Sequence, residues 1–236
     1  MKRILTYAKI IDTPVYIVHT STKDALEEIE KAKKNGQKVF AETCPQYLFL
    51  DESKYHLPDY ESAKYIMSPP LRPKENQEYL WNGIINNNIR VVSTDHCPFN
   101  FRGQKDLGKN DFTKIPNGGG GIENRLHLLF TYGVLTNKIS LNKFVEIISA
   151  NPAKIFGMYP QKGIIKIGSD ADLILWNPEI EFIISAKHQY QYCDYNLYEG
   201  FKIKGTPEVV IKNGKIVFKD NNIIKENCKG KLIFRK

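Results

Sequence analysis

Three short apolar runs, each separated from the next by a helical pattern, constrain the fold of this chain more than any other feature. They are Val15-Tyr16-Ile17-Val18-His19, Lys38-Val39-Phe40-Ala41-Glu42-Thr43 and Ile89-Arg90-Val91-Val92, the last leading into Ser93-Thr94-Asp95-His96-Cys97-Pro98-Phe99. Pro14 opens the first strand and Cys44-Pro45 stops the second. Ser21 to Asp24 reads as a capping box for a helix through Ala25, Leu26, Ile29 and Ala32. Asn35-Gly36 ends that helix, because glycine tolerates a left-handed backbone just past a helix end. A further helix is expected near Glu75 to Ile85, before the strand that ends at Asp95. Strands alternating with helices predict βαβ units and a parallel sheet.

Beyond Asp95 a loop from Asn100 to Gly121 is too long to be only a connector. Helical patterns return at Ile122 to Tyr132 and Leu141 to Ser149, and Asn151-Pro152 reads as the N-cap and first residue of a short helix. From Gly163 the texture changes to short strands broken by glycine or proline: Ile164 to Ile167, Ala171 to Trp176 and Glu208 to Ile211. Asn213-Gly214 between apolar runs predicts a type I′ hairpin. The expected organisation is an α/β unit over residues 1–160 and a β-rich unit over 161–236.

At 236 residues, 42% apolar and 25% charged, the chain has the composition of an ordinary globular protein with a sizeable core. No apolar run approaches a membrane span, and Met1-Lys2-Arg3 is not followed by a signal-peptide core, so a cytoplasmic location is expected. The net charge of +8 lies largely in Lys31 to Lys34 and the tail from Lys225 to Lys236. That distribution reads as a solvated helix face and a basic tail, and no nucleic-acid-binding motif accompanies it. Cys44, Cys97, Cys193 and Cys228 form no C-x-x-C pair, which argues against a zinc knuckle or a disulfide scaffold.

His19 and Asp95 each stand at the end of a predicted strand. In a parallel barrel the strand ends share one face, where metal ligands and proton shuttles are presented, so the two side chains can converge. His96 is a candidate partner of Asp95 or of a substrate. Glu42 and Glu123 are candidate acids or bases. Gly118 to Gly121 precede a helix without the Lys-Ser/Thr of a phosphate-binding loop, and read as a flexible loop whose backbone approaches a ligand.

Several segments, taken in order, resemble the cyclic amidohydrolases, in particular the dihydropyrimidinase/D-hydantoinase branch. Pro14 to Ser21 is similar to that family's histidine strand. It is followed by Glu42-Thr43-Cys44-Pro45-Gln46-Tyr47, Ser68-Pro69-Pro70-Leu71-Arg72, Ser93 to Phe99 and Gly108 to Gly119. Lys162-Gly163 through Gly168-Ser169-Asp170-Ala171-Asp172-Leu173, and then Asp194-Tyr195-Asn196 with Glu199-Gly200, complete the series. The likeness covers nearly the whole chain. It implies an α/β fold, the C-terminal part of a (β/α)8 barrel followed by part of a small β-sandwich.

The resemblance also implies chemistry. Two metal ions, usually zinc, and a hydroxide open a cyclic imide or ureide to an N-carbamoyl amino acid. His19 matches a ligand of the more buried metal. Asp95 matches the ligand of the other metal that also shuttles the proton to the leaving nitrogen. Ser68 and Asn117 match positions whose backbone groups bond the substrate ring, and Gly120 stands where many relatives have proline. Small cyclic amides are the implied partners, with no nucleic acid or membrane, and a homotetramer is usual in the family. The family's H-x-H pair, bridging lysine and another histidine would lie before Met1, and no H-x-H occurs in this sequence. The expectation is therefore a C-terminal portion of a longer enzyme, inactive and poorly stable by itself. The alternatives that the resemblance leaves open are a non-catalytic interaction protein that shares the fold and lacks the metal site, or a sibling enzyme such as allantoinase or dihydroorotase.

Overall fold

The computed structural model describes residues 1–235; Lys236, the last residue of the basic tail and of the 161–236 unit, lies outside the described residues. The first element, helix α1 (Lys2–Ile10), has no counterpart in the sequence reading. Strand β1 (Val15–Ile17), helix α2 (Lys23–Lys34), strand β2 (Val39–Thr43), helices α3 (Pro45–Phe49) and α4 (Glu75–Ile85), and strand β3 (Val91–Val92) follow. The three strands form one sheet in the order β1-β2-β3. Both pairings are parallel, with Tyr16 opposite Phe40 and Glu42 opposite Val91. Their C-terminal ends therefore share one edge. The third strand is shorter than predicted, and Ser93 to Asp95 lie beyond it.

Helix α2 buries Leu26, Ile29 and Ala32. Ile29 and Ala32 share a small core with Val39 and Ala41 of β2 and Leu5 of α1. Its cap is Thr22 rather than Ser21, because Thr22 is the last extended residue and its Oγ1 accepts the Ala25 N–H at 3.1 Å. The larger core gathers α3, α4 and β3 around Leu48, Leu80, Ile84 and Val92.

Helix α5 (Arg125–Leu129) starts three residues later than predicted and continues as a π turn over Phe130–Val134. Helix α6 (Leu141–Val145) runs through a second π turn (Glu146–Ala150) into helix α7 (Asn151–Ile155). Asn151 consequently caps nothing. Its buried amide donates to the Arg90 carbonyl at 2.9 Å and accepts from the Arg90 guanidinium at 3.1 Å, tying α7 to the start of β3.

A four-stranded antiparallel sheet follows, ordered β4 (Leu173–Ile183), β5 (Lys202–Lys212), β6 (Lys215–Lys219) and β7 (Asn222–Ile223). Pro178 sits in the register shift between Asn177 and Glu181, where a missing N–H is tolerated. Asn213 and Gly214, at φ 48° and 75°, make the predicted hairpin between β5 and β6. Residues Ile164 to Ile167 are not a strand. They find no ladder partner among the described residues, and Gly163 and Gly168 on either side have left-handed backbones that turn the chain. Among the described residues no helix is long and apolar enough to cross a membrane.

Candidate metal and substrate site

Two residues at the C-terminal edge of the parallel sheet combine a functional side chain with a left-handed backbone: His19 at φ 39° and Asp95 at φ 48°. A side chain with a Cβ is disfavoured there, so the neighbours must hold each residue in place. For His19 the holder is β2. The His19 N–H donates to Glu42 Oε1 at 3.4 Å, and the Thr20 N–H donates to the Glu42 carbonyl at 2.8 Å. Thr43 Oγ1 donates back to the Thr20 carbonyl at 2.7 Å. The other oxygen of Glu42 accepts the Tyr16 hydroxyl at 2.6 Å. Burial, and then the bond to Glu42, push the Tyr16 phenol well up, so it remains a donor. Glu42 is thus a bonded member of the site.

Asp95 follows a turn fastened from several sides. The Ser93 N–H donates to the Thr43 carbonyl at 3.0 Å, and the Ser93 hydroxyl meets the Cys44 thiol at 3.3 Å. Arg125 donates to the Val92 carbonyl at 2.9 Å. The Asp95 side chain is exposed to solvent. Burial pushes the Cys44 thiol up to about 12, with the charges of Glu42 and Asp95 adding to the push.

His96 turns to the glycine-rich loop. Its Nδ1 accepts the Gly121 and Ile122 N–H groups at 3.1 and 3.3 Å, which leaves Nε2 to carry the proton of the neutral ring. Burial lowers its pKa, favouring that neutral form. The loop also touches Cys97, whose N–H donates to the Gly119 carbonyl at 3.2 Å. A Cβ at Gly118, which has φ 145°, would lie 2.4 Å from the Cys97 carbonyl oxygen, so only glycine fits.

Ser68 and Asn117 are both exposed, on segments that the structure joins. The Gly118 N–H donates to the Ile66 carbonyl at 3.1 Å. Lys105 Nζ donates to the carbonyls of Ile66 at 2.8 Å and Pro116 at 3.0 Å. Tyr47 on α3 donates to the Pro69 carbonyl at 2.8 Å, which ties the Ser68 segment to the sheet edge. Glu123, by contrast, has its carboxylate taken up by the N–H groups of Tyr190 and Gln191, and serves as an anchor. Lys105 and Arg125 were not foreseen, since a lone basic residue in a loop or at a helix start carries no periodic signal.

A sequence profile described as the amidohydrolase family matches residues 1–217. The chain belongs to that family. It is 44% identical over 234 residues to the D-hydantoinase of Ralstonia pickettii, covering 99% of this chain and 51% of that protein. Among solved structures it is similar to dihydropyrimidinase from Brevibacillus agri, with a TM-score of 0.93 and 47% identity over 94% of this chain and 48% of that one. It is also similar to the D-hydantoinase (dihydropyrimidinase) from Thermus sp., with a TM-score of 0.95 and 42% identity over 99% and 51%. The chain spans about half the length of the relatives it matches. Its fold is the α/β fold of part of those hydantoinase and dihydropyrimidinase structures.

Amidohydrolases typically use metals, and His19 and Asp95 have the donor chemistry for one. They lie beyond β1 and β3, strands set ~10 Å apart with β2 between them. Among the described residues no group of three or more His, Cys, Asp or Glu side chains is placed to hold an ion. Zinc sites have four ligands, at least three of them from protein. The described residues of this chain therefore do not by themselves fit a complete metal site.

Proposed function

We propose that this chain is the part of a ring-opening amide hydrolase that presents His19, Asp95 and the substrate-facing loops. The substrate is a dihydropyrimidine or hydantoin. Water adds to a ring carbonyl carbon, the ring C–N bond breaks, and the product is an N-carbamoyl amino acid. Asp95 takes the proton of the attacking water and delivers it to the leaving nitrogen. Backbone groups at Ser68 and Asn117 bond the polar edge of the ring. One observation carries the reading: His19 and Asp95 sit at the same sheet edge, each in a backbone conformation that costs roughly 1–3 kcal/mol, with His19 bonded to Glu42 and the residues just before Asp95 bonded to Thr43 and Arg125.

The same reading holds that residues 1–160 belong to a (β/α)8 barrel and 161–236 to a β-sandwich, in a cytoplasmic tetramer. It holds that zinc is the metal. Metal binding then requires donors beyond this chain's described residues, so the chemistry assigned to the chain is that of its own side chains. The test is turnover of dihydrouracil and a 5-substituted hydantoin by this chain alone and by this chain completed with the half of a D-hydantoinase it does not match. The completed protein opens the ring, the chain alone does not, and Asp95→Asn lowers kcat about a thousandfold. An Asp95→Asn protein within threefold of its parent, on the order of measurement scatter, sinks the proposal.

A further inference from the structure

Lys105 is fully buried, and it is the only Lys, Arg, Asp or Glu in the buried class among the described residues. No carboxylate among the described residues pairs with it. Its ammonium meets the carbonyls of Ile66 and Pro116 and lies 6.0 Å from the centre of the Phe99 ring. Burying an unpaired cation is costly, and an apolar side chain of the same length would fill the space without that cost. What the apolar side chain could not do is join two carbonyl oxygens, since neither has a proton to give the other.

Those two carbonyls have particular positions. Pro116 immediately precedes Asn117, and Ile66 is two residues before Ser68. We propose that Lys105 is a positioning residue of the substrate pocket, whose buried amine sets the distance between the Ser68 and Asn117 segments. The inference rests on the reading above that these two positions receive the substrate ring.

Lys105 is itself held. Its N–H donates to the Asn100 carbonyl at 3.1 Å, and its carbonyl accepts the Tyr60 hydroxyl at 3.4 Å. The start of the same loop is gripped by Asp194, whose two carboxylate oxygens accept the N–H groups of Phe101 at 2.6 Å and Arg102 at 2.9 Å. The Ile66 carbonyl that Lys105 grips also accepts the Gly118 N–H, so it spends both lone pairs on the pocket loop. Gly118 in turn packs against Cys97, two residues from Asp95, which connects the clamp to the sheet edge. The burial that isolates the amine also lowers its pKa to about 8, as expected for a cation held by neutral carbonyls alone.

The experiment has two arms. In this chain by itself, Lys105→Met removes the donors at nearly constant volume, and Lys105→Gln keeps a shorter donor should the methionine variant fail to fold. Amide exchange of Gly118 accelerates roughly tenfold or more, while Thr20 and Ser93 at the sheet edge keep their protection. In the completed protein, KM for dihydrouracil rises roughly tenfold or more with kcat within about threefold, and the glutamine variant recovers part of the loss. Lys162→Met, a lysine change away from the pocket, leaves KM unchanged. Unchanged Gly118 exchange overturns the clamp. Faster Gly118 exchange with unchanged KM overturns the positioning role and leaves a structural lysine. If the completed parent turns over no ring amide, the reading of the site fails and the pocket role with it, while Gly118 exchange still decides whether the clamp exists.

Discussion

In the parallel sheet Val39, Ala41, Val91 and Val92 are buried beneath helices, whereas in the antiparallel sheet Ile174, Leu175, Ile180 and Ile183 face solvent. Both sheets are built from the same kinds of residue. The first is covered by the helices that connect its strands and return across it, which bury β3 and alternate residues of β2 and leave β1 half-buried. The second packs inward through a few residues: Ile203, buried in the larger core, Phe182 edge-on against His127, and Trp176 against Phe130, Phe144 and His127. Beside that contact lies an apolar groove of about 620 Å³ lined by Phe144, Ile148, Ile164 and Ile174. The contrast separates hydrophobicity from burial: an isoleucine stabilises this molecule only where neighbours exclude water from it.

The contrast is sharpest between Ile84, at 0% exposure in α4, and Ile167, at 102% beside the antiparallel sheet. Ile84→Ala should cost about 3 kcal/mol in urea unfolding, from lost transfer energy and the cavity it leaves. A loss under about 1 kcal/mol would mean the first core is not packed as described.

Next in size is a pH effect confined to the parallel-sheet region. Burial lowers the Lys105 pKa to about 8 from its ordinary value near 10.5, so between those values the unfolded chain binds more protons than the folded one. Stability should therefore rise as pH climbs from about 8 to 10.5, by up to roughly 3 kcal/mol, relative to Lys105→Met. Parallel curves for the two proteins would remove the lysine from the account.

The smallest effect belongs to the other region. Ile167→Ser should change unfolding free energy by less than about 0.5 kcal/mol, since no neighbour is lost. A cost comparable to Ile84→Ala would show that the exposed face is covered in solution and would erase the contrast between the sheets.

Much of this molecule was legible along the chain. The strands around Val15, Val39 and Val91, the helix Glu75–Ile85 and the Asn213-Gly214 hairpin follow from local signals: apolar runs, proline and glycine stops, and a turn that needs left-handed backbone. The positions of His19 and Asp95 at strand ends were legible for the same reason, and a parallel sheet then sets them on one edge. Helix α1 was missed because its start has no capping side chain and its pattern is weakly apolar. The partners of the site residues were not legible either, since Glu42 bonding His19 and His96 bonding Gly121 join segments more than twenty residues apart.

The sequence by itself determined the kind and order of most strands and helices, the family, and which two side chains stand at the edge of the parallel sheet. Those features depend on neighbours along the chain. Tertiary structure decided that Asn151 bonds Arg90 instead of capping a helix, that Ile164 to Ile167 remain outside any strand, and that Lys105 joins the two loops. A buried polar group is satisfied, and a strand is formed, only by a partner brought from elsewhere, and no local pattern specifies which partner arrives.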